Sequence, residues 1–295
     1  MRGRTPLILA LVLAACTPPA PREARVTPHY VIGQPYRVGG VWRYPREQFD
    51  AEETGLATTE TRTAGVTADG EAVDPAAMAA AHPTLQLPAV VRVTNLDNGW
   101  QVLVRINDRG PPDPGRAIAL TPRAMALLHP ADPRAVPVRI EVQEAESLRL
   151  ATEIGGAEAP RLALAVVPVG EVSSENLPPP PGAAASPLRL ASVLPAPRAA
   201  VPDAPPLRLP ATATRVAAHP ASLYVDIASF GHPADAALLQ RRLASVGAQI
   251  ALDAAAPGER AYDVRVGPLA GAAAADATLA RVIAQGFGDA RIVAR

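Results

Sequence analysis

Proline sets the limits on how this chain can fold. Of 295 residues, 34 are proline, and they crowd the stretch from Ala151 to Pro220, which includes Pro178-Pro179-Pro180-Pro181 and a Pro-Ala alternation from Pro195 to Pro210. Neither helical nor strand periodicity is sustained there. Tracts of this kind bury too little apolar surface to offset the entropy lost on ordering, so residues 147–220 are expected to form an extended, disordered, partly polyproline linker. At up to about 3 Å per residue such a tether separates its flanking units by well over 100 Å. Two modest folded units are expected, one on each side of it.

Charge narrows the partners. The 28 basic and 28 acidic side chains balance to a formal charge of zero, so the basic excess of a nucleic-acid binder is missing. The N-terminus carries an export pattern: Arg2 and Arg4, an apolar run from Leu7 to Leu13, then Ala14-Ala15-Cys16. That run is too short to span a bilayer. Leu13-Ala14-Ala15-Cys16 resembles the bacterial lipobox, which implies cleavage before Cys16 and its lipidation, with residues 1–16 as the signal segment. Thr17 rather than Asp at the next position implies sorting to the outer membrane. Cys16 is the only cysteine, so an intramolecular disulfide, a cysteine-based zinc cluster and a cysteine peptidase are all ruled out.

After an extension over residues 17–54, residues 55–146 read mainly as strands. Val90 to Thr94 and Trp100 to Ile106 flank Asp97-Asn98-Gly99, and Asn-Gly between apolar runs signals a β-hairpin. Thr121-Pro122 followed by Ala124 to Leu128 and then Pro130 has the form of a cap, a first-turn proline, one short helix and a stop. Pro137 to Val142 returns as a strand. Short strands with few helices suggest a small closed β-barrel. Residues 221–295 read as β-α-β-β-α-β, a compact sheet with two helices on one face. The fold class expected is therefore mainly β plus α+β.

Three segments of the first unit can carry chemistry: Thr67-Ala68-Asp69-Gly70-Glu71, Ala79-Ala80-Ala81-His82 and Asn107-Asp108-Arg109-Gly110-Pro111. Taken singly, each has a structural reading as a turn, a hydrogen-bonded histidine or a loop with an internal ion pair. Together, with Leu85-Gln86-Leu87-Pro88 and Arg92 to Leu96 between them, they resemble the RlpA family of septal lipoproteins over residues 55–143. The resemblance implies a double-psi β-barrel and lytic cleavage, without cofactor or metal, of peptidoglycan strands stripped of stem peptides. It places the functional positions on Glu71, His82 and Asp108. Such cleavage needs an acid for the leaving oxygen and a base for the sugar's own C6 hydroxyl. Asp108 is expected to serve as both. Glu71 is expected as a second carboxylate that positions substrate or raises the aspartate by like-charge proximity, with His82 orienting one of them.

Two departures bear on turnover. Where the family has Gly-x-Ala-Ser-Trp-Tyr-Gly, this chain has Gly55-Leu56-Ala57-Thr58-Thr59-Glu60-Thr61, and Ala119 replaces a usual aspartate. An aromatic surface is a common sugar platform, and Trp100 or Tyr44 is a candidate substitute. In the last unit, Tyr224 to Phe230 with Tyr262 to Leu269 resembles the SPOR domain. That resemblance implies recognition of peptide-free glycan at division sites through Ser229, Phe230 and Arg265. The expected protein is thus a lipid-anchored monomer of the cell envelope, enriched at the septum. Its alternative is a glycan-binding lipoprotein of the same fold without turnover. A metal peptidase would want His-Glu-x-x-His, which is missing.

Overall fold

The computed structural model describes residues 27–154, 208–256 and 259–295. The export segment with Cys16, and most of the expected linker, lie outside them. The described elements are β1 (Tyr36–Val38), β2 (Val41–Arg43), β3 (Glu52–Thr59), β4 (Ala79–Ala81), β5 (Ala89–Asn95), β6 (Trp100–Asp108), β7 (Ile118–Leu120), α1 (Pro122–Leu127), β8 (Val136–Val142) and α2 (Glu144–Glu153). After the gap come β9 (Ala213–Arg215), β10 (Leu223–Phe230), α3 (Pro233–Arg242), β11 (Gln249–Ala256), β12 (Glu259–Leu269), α4 (Ala272–Ala284) and β13 (Arg291–Ala294).

Six strands close a barrel in the order β4-β7-β3-β8-β5-β6, with β6 returning to β4. Two of its pairings, β3 with β7 and β4 with β6, are parallel and the others antiparallel. Leu87, Val91, Val93, Val104, Ile106 and Ile140 belong to its apolar core. The Asn98-Gly99 hairpin forms as expected, with Thr94 opposite Gln101. So does α1, where the Thr121 hydroxyl accepts from the Ala124 amide and Pro122 stands in the first turn.

The stretch expected as linker is structured at both ends. Residues 144–153 form α2, which buries Leu150 and Ala151. Beyond the end of the β5–β8 ladder, the Val90 amide donates to the Ser147 hydroxyl at 2.9 Å, while its carbonyl accepts from the Gln143 amide at 2.8 Å and from the Ser147 hydroxyl at 3.2 Å. At the far end, β9 pairs antiparallel with Trp100 to Val102 on the free edge of β6. The chain then passes so close to the hairpin that a Cβ on Gly99, whose φ is +78°, would lie 2.1 Å from the Val216 carbonyl oxygen.

The C-terminal unit has the expected order, a four-stranded antiparallel sheet β11-β12-β10-β13 with α3 and α4. Contrary to the long-reach expectation, it sits against the barrel, because the returning segment is zipped onto β6. Leu56 of β3 and Leu96 belong to its apolar cluster rather than to the barrel interior. Burying one leucine contributes about 1.5–3 kcal/mol. The Arg116 guanidinium clamps both carboxylate oxygens of Asp276 on α4, at 2.7 and 3.0 Å, and the Ala294 amide donates to the Thr54 hydroxyl. A bidentate, half-buried pair of this kind fixes orientation as well as contact.

Candidate active site

Asp108 ends β6, in register with Ala81 of β4. Its Oδ1 accepts from the Ala68 amide at 3.0 Å and the Arg109 amide at 2.8 Å, and its Oδ2 is paired with the half-exposed Arg62 guanidinium. Arg62 follows the segment that departs from the expected aromatic pattern, so a cation caps the aspartate at the end of that segment.

The Thr67–Glu71 turn holds Ala68 in place. Gly70 has φ +89°, and a Cβ there would lie 2.3 Å from the Thr27 carbonyl oxygen, so only glycine allows residues 27–29 to run against the turn. Glu71 is buried, and its Oε2 accepts from the Asn107 amide group at 2.9 Å and pairs with Arg105. It is therefore spent on β6, where Arg105 and Asn107 project on the same side. It is not a free carboxylate beside Asp108.

The like-charge effect expected of Glu71 falls instead on Asp69, which sequence reasoning treated as a turn residue. Asp69 is 1 % exposed. Burial first and the Glu71 charge second push its carboxyl up to about 6, against the pull of the Thr67 hydroxyl, the Glu71 amide and Arg105. The folded chain therefore holds a proton between about pH 4 and pH 6 that the unfolded chain has released, and stability falls as pH rises through that window. Asp69→Asn keeps the acceptor used by Thr67 and Glu71 and removes the charge. It is expected to flatten the stability profile from pH 4 to 6 and to add about 1–3 kcal/mol at pH 7, measured by urea unfolding. An unchanged slope would show that Asp69 stays ionised.

His82 differs from its expected role. Its Nδ1 accepts from the Thr84 and Leu85 amides at 3.2 and 3.1 Å, so the ring proton lies on Nε2, 2.5 Å from Glu53 Oε1. Burial would raise the Glu53 carboxyl, but His82, with Arg291 and Arg43, holds it below its ordinary value. Both ring nitrogens are thus occupied, and only the His82 backbone amide reaches the aspartate, at its carbonyl oxygen. Arg109 is a clamp: its guanidinium donates to the carbonyls of Leu85 and Ile32, both at 2.5 Å, tying the extension to the His82 loop. The structure therefore joins Asp108 to the Thr67–Glu71 turn and turns the His82 ring to a separate cleft.

Comparison with known proteins agrees with this architecture. A family model described as lytic transglycolase matches residues 54–140, and the SPOR domain model matches residues 220–292. The chain thus carries a barrel of the double-psi, lytic transglycolase kind followed by a SPOR domain. It is 38% identical over 145 residues to endolytic peptidoglycan transglycosylase RlpA of Yersinia pestis, covering 41% of this chain and 40% of that one. The proteins of the same name from Pseudomonas aeruginosa strain UCBPP-PA14 and from Vibrio cholerae are 43% identical over 116 residues and 34% over 161. They cover 38% and 46% of this chain, and 33% and 61% of their own. The chain thus spans less than two thirds of these relatives.

Within the SPOR domain, Ser229 lines a small cleft with Asp226 and Asp263. Phe230 packs against the apolar cluster. The Arg265 guanidinium lies 4.7 Å from the Tyr224 ring centre. Of the two candidate sugar platforms, Trp100 is taken up by His129, with ring centres 5.0 Å apart, and by Arg215. Tyr44 is exposed and stacks with Trp42.

Proposed function

We propose that the chain is an endolytic lytic transglycosylase of peptidoglycan, cleaving the MurNAc–GlcNAc bond of peptide-free strands with formation of 1,6-anhydroMurNAc. The observation that carries it is Asp108, a single carboxyl fixed through one oxygen by two backbone amides at the end of an RlpA-type barrel strand. With Oδ1 so held, Oδ2 is the oxygen that carries the proton, and the Arg62 side chain has to swing off it as substrate arrives. The Arg62 side chain is half exposed and free to swing into water, whereas the Asp108 carboxyl is buried, so substrate has to take the place of the lost partner. Protonated Asp108 then gives its proton to the glycosidic oxygen. The resulting carboxylate takes the proton of the C6 hydroxyl as that oxygen closes on the anomeric carbon. No water is consumed, so one carboxyl suffices where hydrolases use two.

The test is to incubate the soluble form, beginning after Cys16, with purified peptide-free strands and with intact sacculi, and to identify the ends by mass spectrometry. Anhydro ends are expected. Hydrolysed reducing ends would keep the site and change the reaction. Binding without product would favour the reading as a glycan-binding lipoprotein, for which the loss of the aromatic segment at Thr58 to Thr61 is the supporting observation.

The proposed setting is the cell envelope, with the chain held as a monomer in the outer membrane through lipidated Cys16 and enriched at the septum by its SPOR domain. Among the described residues no helix is long and apolar enough to cross a membrane. Cys16→Ser is expected to release the chain from the membrane fraction, and residues 221–295 exported behind a fluorescent protein are expected to gather at division sites. An even signal around the envelope would remove the targeting half.

A further inference from the structure

The His82–Glu53 pair does not face a solid wall. It lines a cleft of about 890 Å³ between the barrel and the SPOR domain, a volume in the range of ligand sites. On the barrel side stands the β1–β2 hairpin of the N-terminal extension. That hairpin presents Trp42 and Tyr44, 51 % and 55 % exposed, with ring centres 6.5 Å apart and planes 28° from parallel. Two large aromatics left half in water need an explanation, and stacking against the apolar face of a sugar ring is the ordinary one. On the SPOR side the cleft shares Asp226, Asp289, Arg291 and Arg295 with the smaller cleft that Ser229 lines, so the two form one continuous path.

The charge of the cleft selects among glycans. Six arginines and four side-chain carboxylates line it; Arg116, Arg139 and Arg295 are committed to Asp276, Glu52 and Asp226, which leaves Arg43, Arg46 and Arg291 facing Glu53 and Asp289, a small excess of positive charge. A neutral sugar polymer has no use for that excess. A peptidoglycan strand freed of stem peptides bears a lactyl carboxylate on every MurNAc, the group that a guanidinium pairs with best.

We propose that this interdomain cleft is a second glycan site, apart from Asp108, which seats a peptide-free peptidoglycan strand across both domains with Trp42 and Tyr44 as its stacking platform. The hairpin thereby supplies the aromatic surface that the barrel's own Thr58 to Thr61 segment lacks. The Arg116–Asp276 clamp and the burial of Leu56 keep the two walls together. The inference rests on the peptidoglycan reading above and extends it to where the strand is held.

The chain holds two tryptophans, so Trp100→Phe leaves Trp42 as its only indole reporter. The experiment titrates the soluble full chain, carrying Trp100→Phe and Asp108→Asn so that strands stay intact, with purified peptide-free glycan strands. A saturable blue shift of Trp42 emission is expected. In the Asp108→Asn chain, adding Trp42→Ala with Tyr44→Ala is expected to weaken retention on the same strands about tenfold. Circular dichroism checks that these variants fold. Unshifted emission together with undiminished retention of the double variant would overturn the cleft site while leaving the glycan reading intact. No retention of any form would overturn the cleft site as well, and the anhydro-end assay then decides the glycan reading by itself.

Discussion

Asp108→Asn is expected to remove 1,6-anhydro products from peptide-free strands while the chain still folds and still binds the strands. Loss of a positioned acid and base costs typically 10²–10⁴-fold in rate. The substitution is nearly isosteric, and the amide oxygen can still accept from the Ala68 and Arg109 amides that hold Oδ1. What changes is the other atom. An NH₂ group replaces the oxygen that pairs with Arg62, so two donors face each other and Arg62 turns out to solvent, where half of it already lies. Because the carboxyl is buried while its hydrogen-bonded oxygen is kept, a stability loss of about 1–3 kcal/mol is expected. Mass spectrometry of the ends and urea unfolding of the same preparation separate chemistry from folding. Anhydro ends at more than a tenth of the wild-type yield would take Asp108 out of the proton-transfer role and reopen the search among the buried carboxyls, with Asp69 first.

How much of this was legible in the sequence depends on how far each residue lies from its partner. The Asn98-Gly99 hairpin and the Thr121-Pro122 helix start are set by neighbours a few residues away, and both form where expected. The alternation and helical spacing after residue 221 likewise suffice for the SPOR order. Most of helix α2 and all of strand β9 lie inside the expected linker because their partners are remote. Ser147 answers the end of a ladder at Val90, and β9 answers a free edge on β6. Neither need is visible in the segment that meets it. The site divides the same way. The motifs are legible as short runs of neighbours, yet His82 pairs with Glu53 from 29 positions upstream, outside all three of them. One signal was available and unused: Arg105 and Asn107 interrupt an apolar strand at alternate positions, which marks a polar partner on that face.

That partner is Glu71, and it carries the second large expected effect. Glu71→Ala leaves Arg105, a buried guanidinium, without its counter-charge, and Asn107 without its acceptor. Breaking a buried pair by removing one member typically costs about 3–5 kcal/mol, a large share of the stability of a small domain. The Thr67–Glu71 turn loosens with it, and the Ala68 amide that fixes Asp108 moves. Activity is therefore expected to fall together with stability, both read from one protein series by urea unfolding and anhydro-end yield. Glu71→Gln separates the two roles a carboxylate at this position can have. The amide oxygen still accepts from Asn107 and from Arg105, so a cost of about 1–3 kcal/mol is expected. If Glu71 acts by holding the turn, the glutamine variant keeps at least a tenth of wild-type yield at temperatures where it is folded. If instead it is folded and inactive, Glu71 touches substrate, and the ion pair with Arg105 must open during the reaction as the Arg62 cap does.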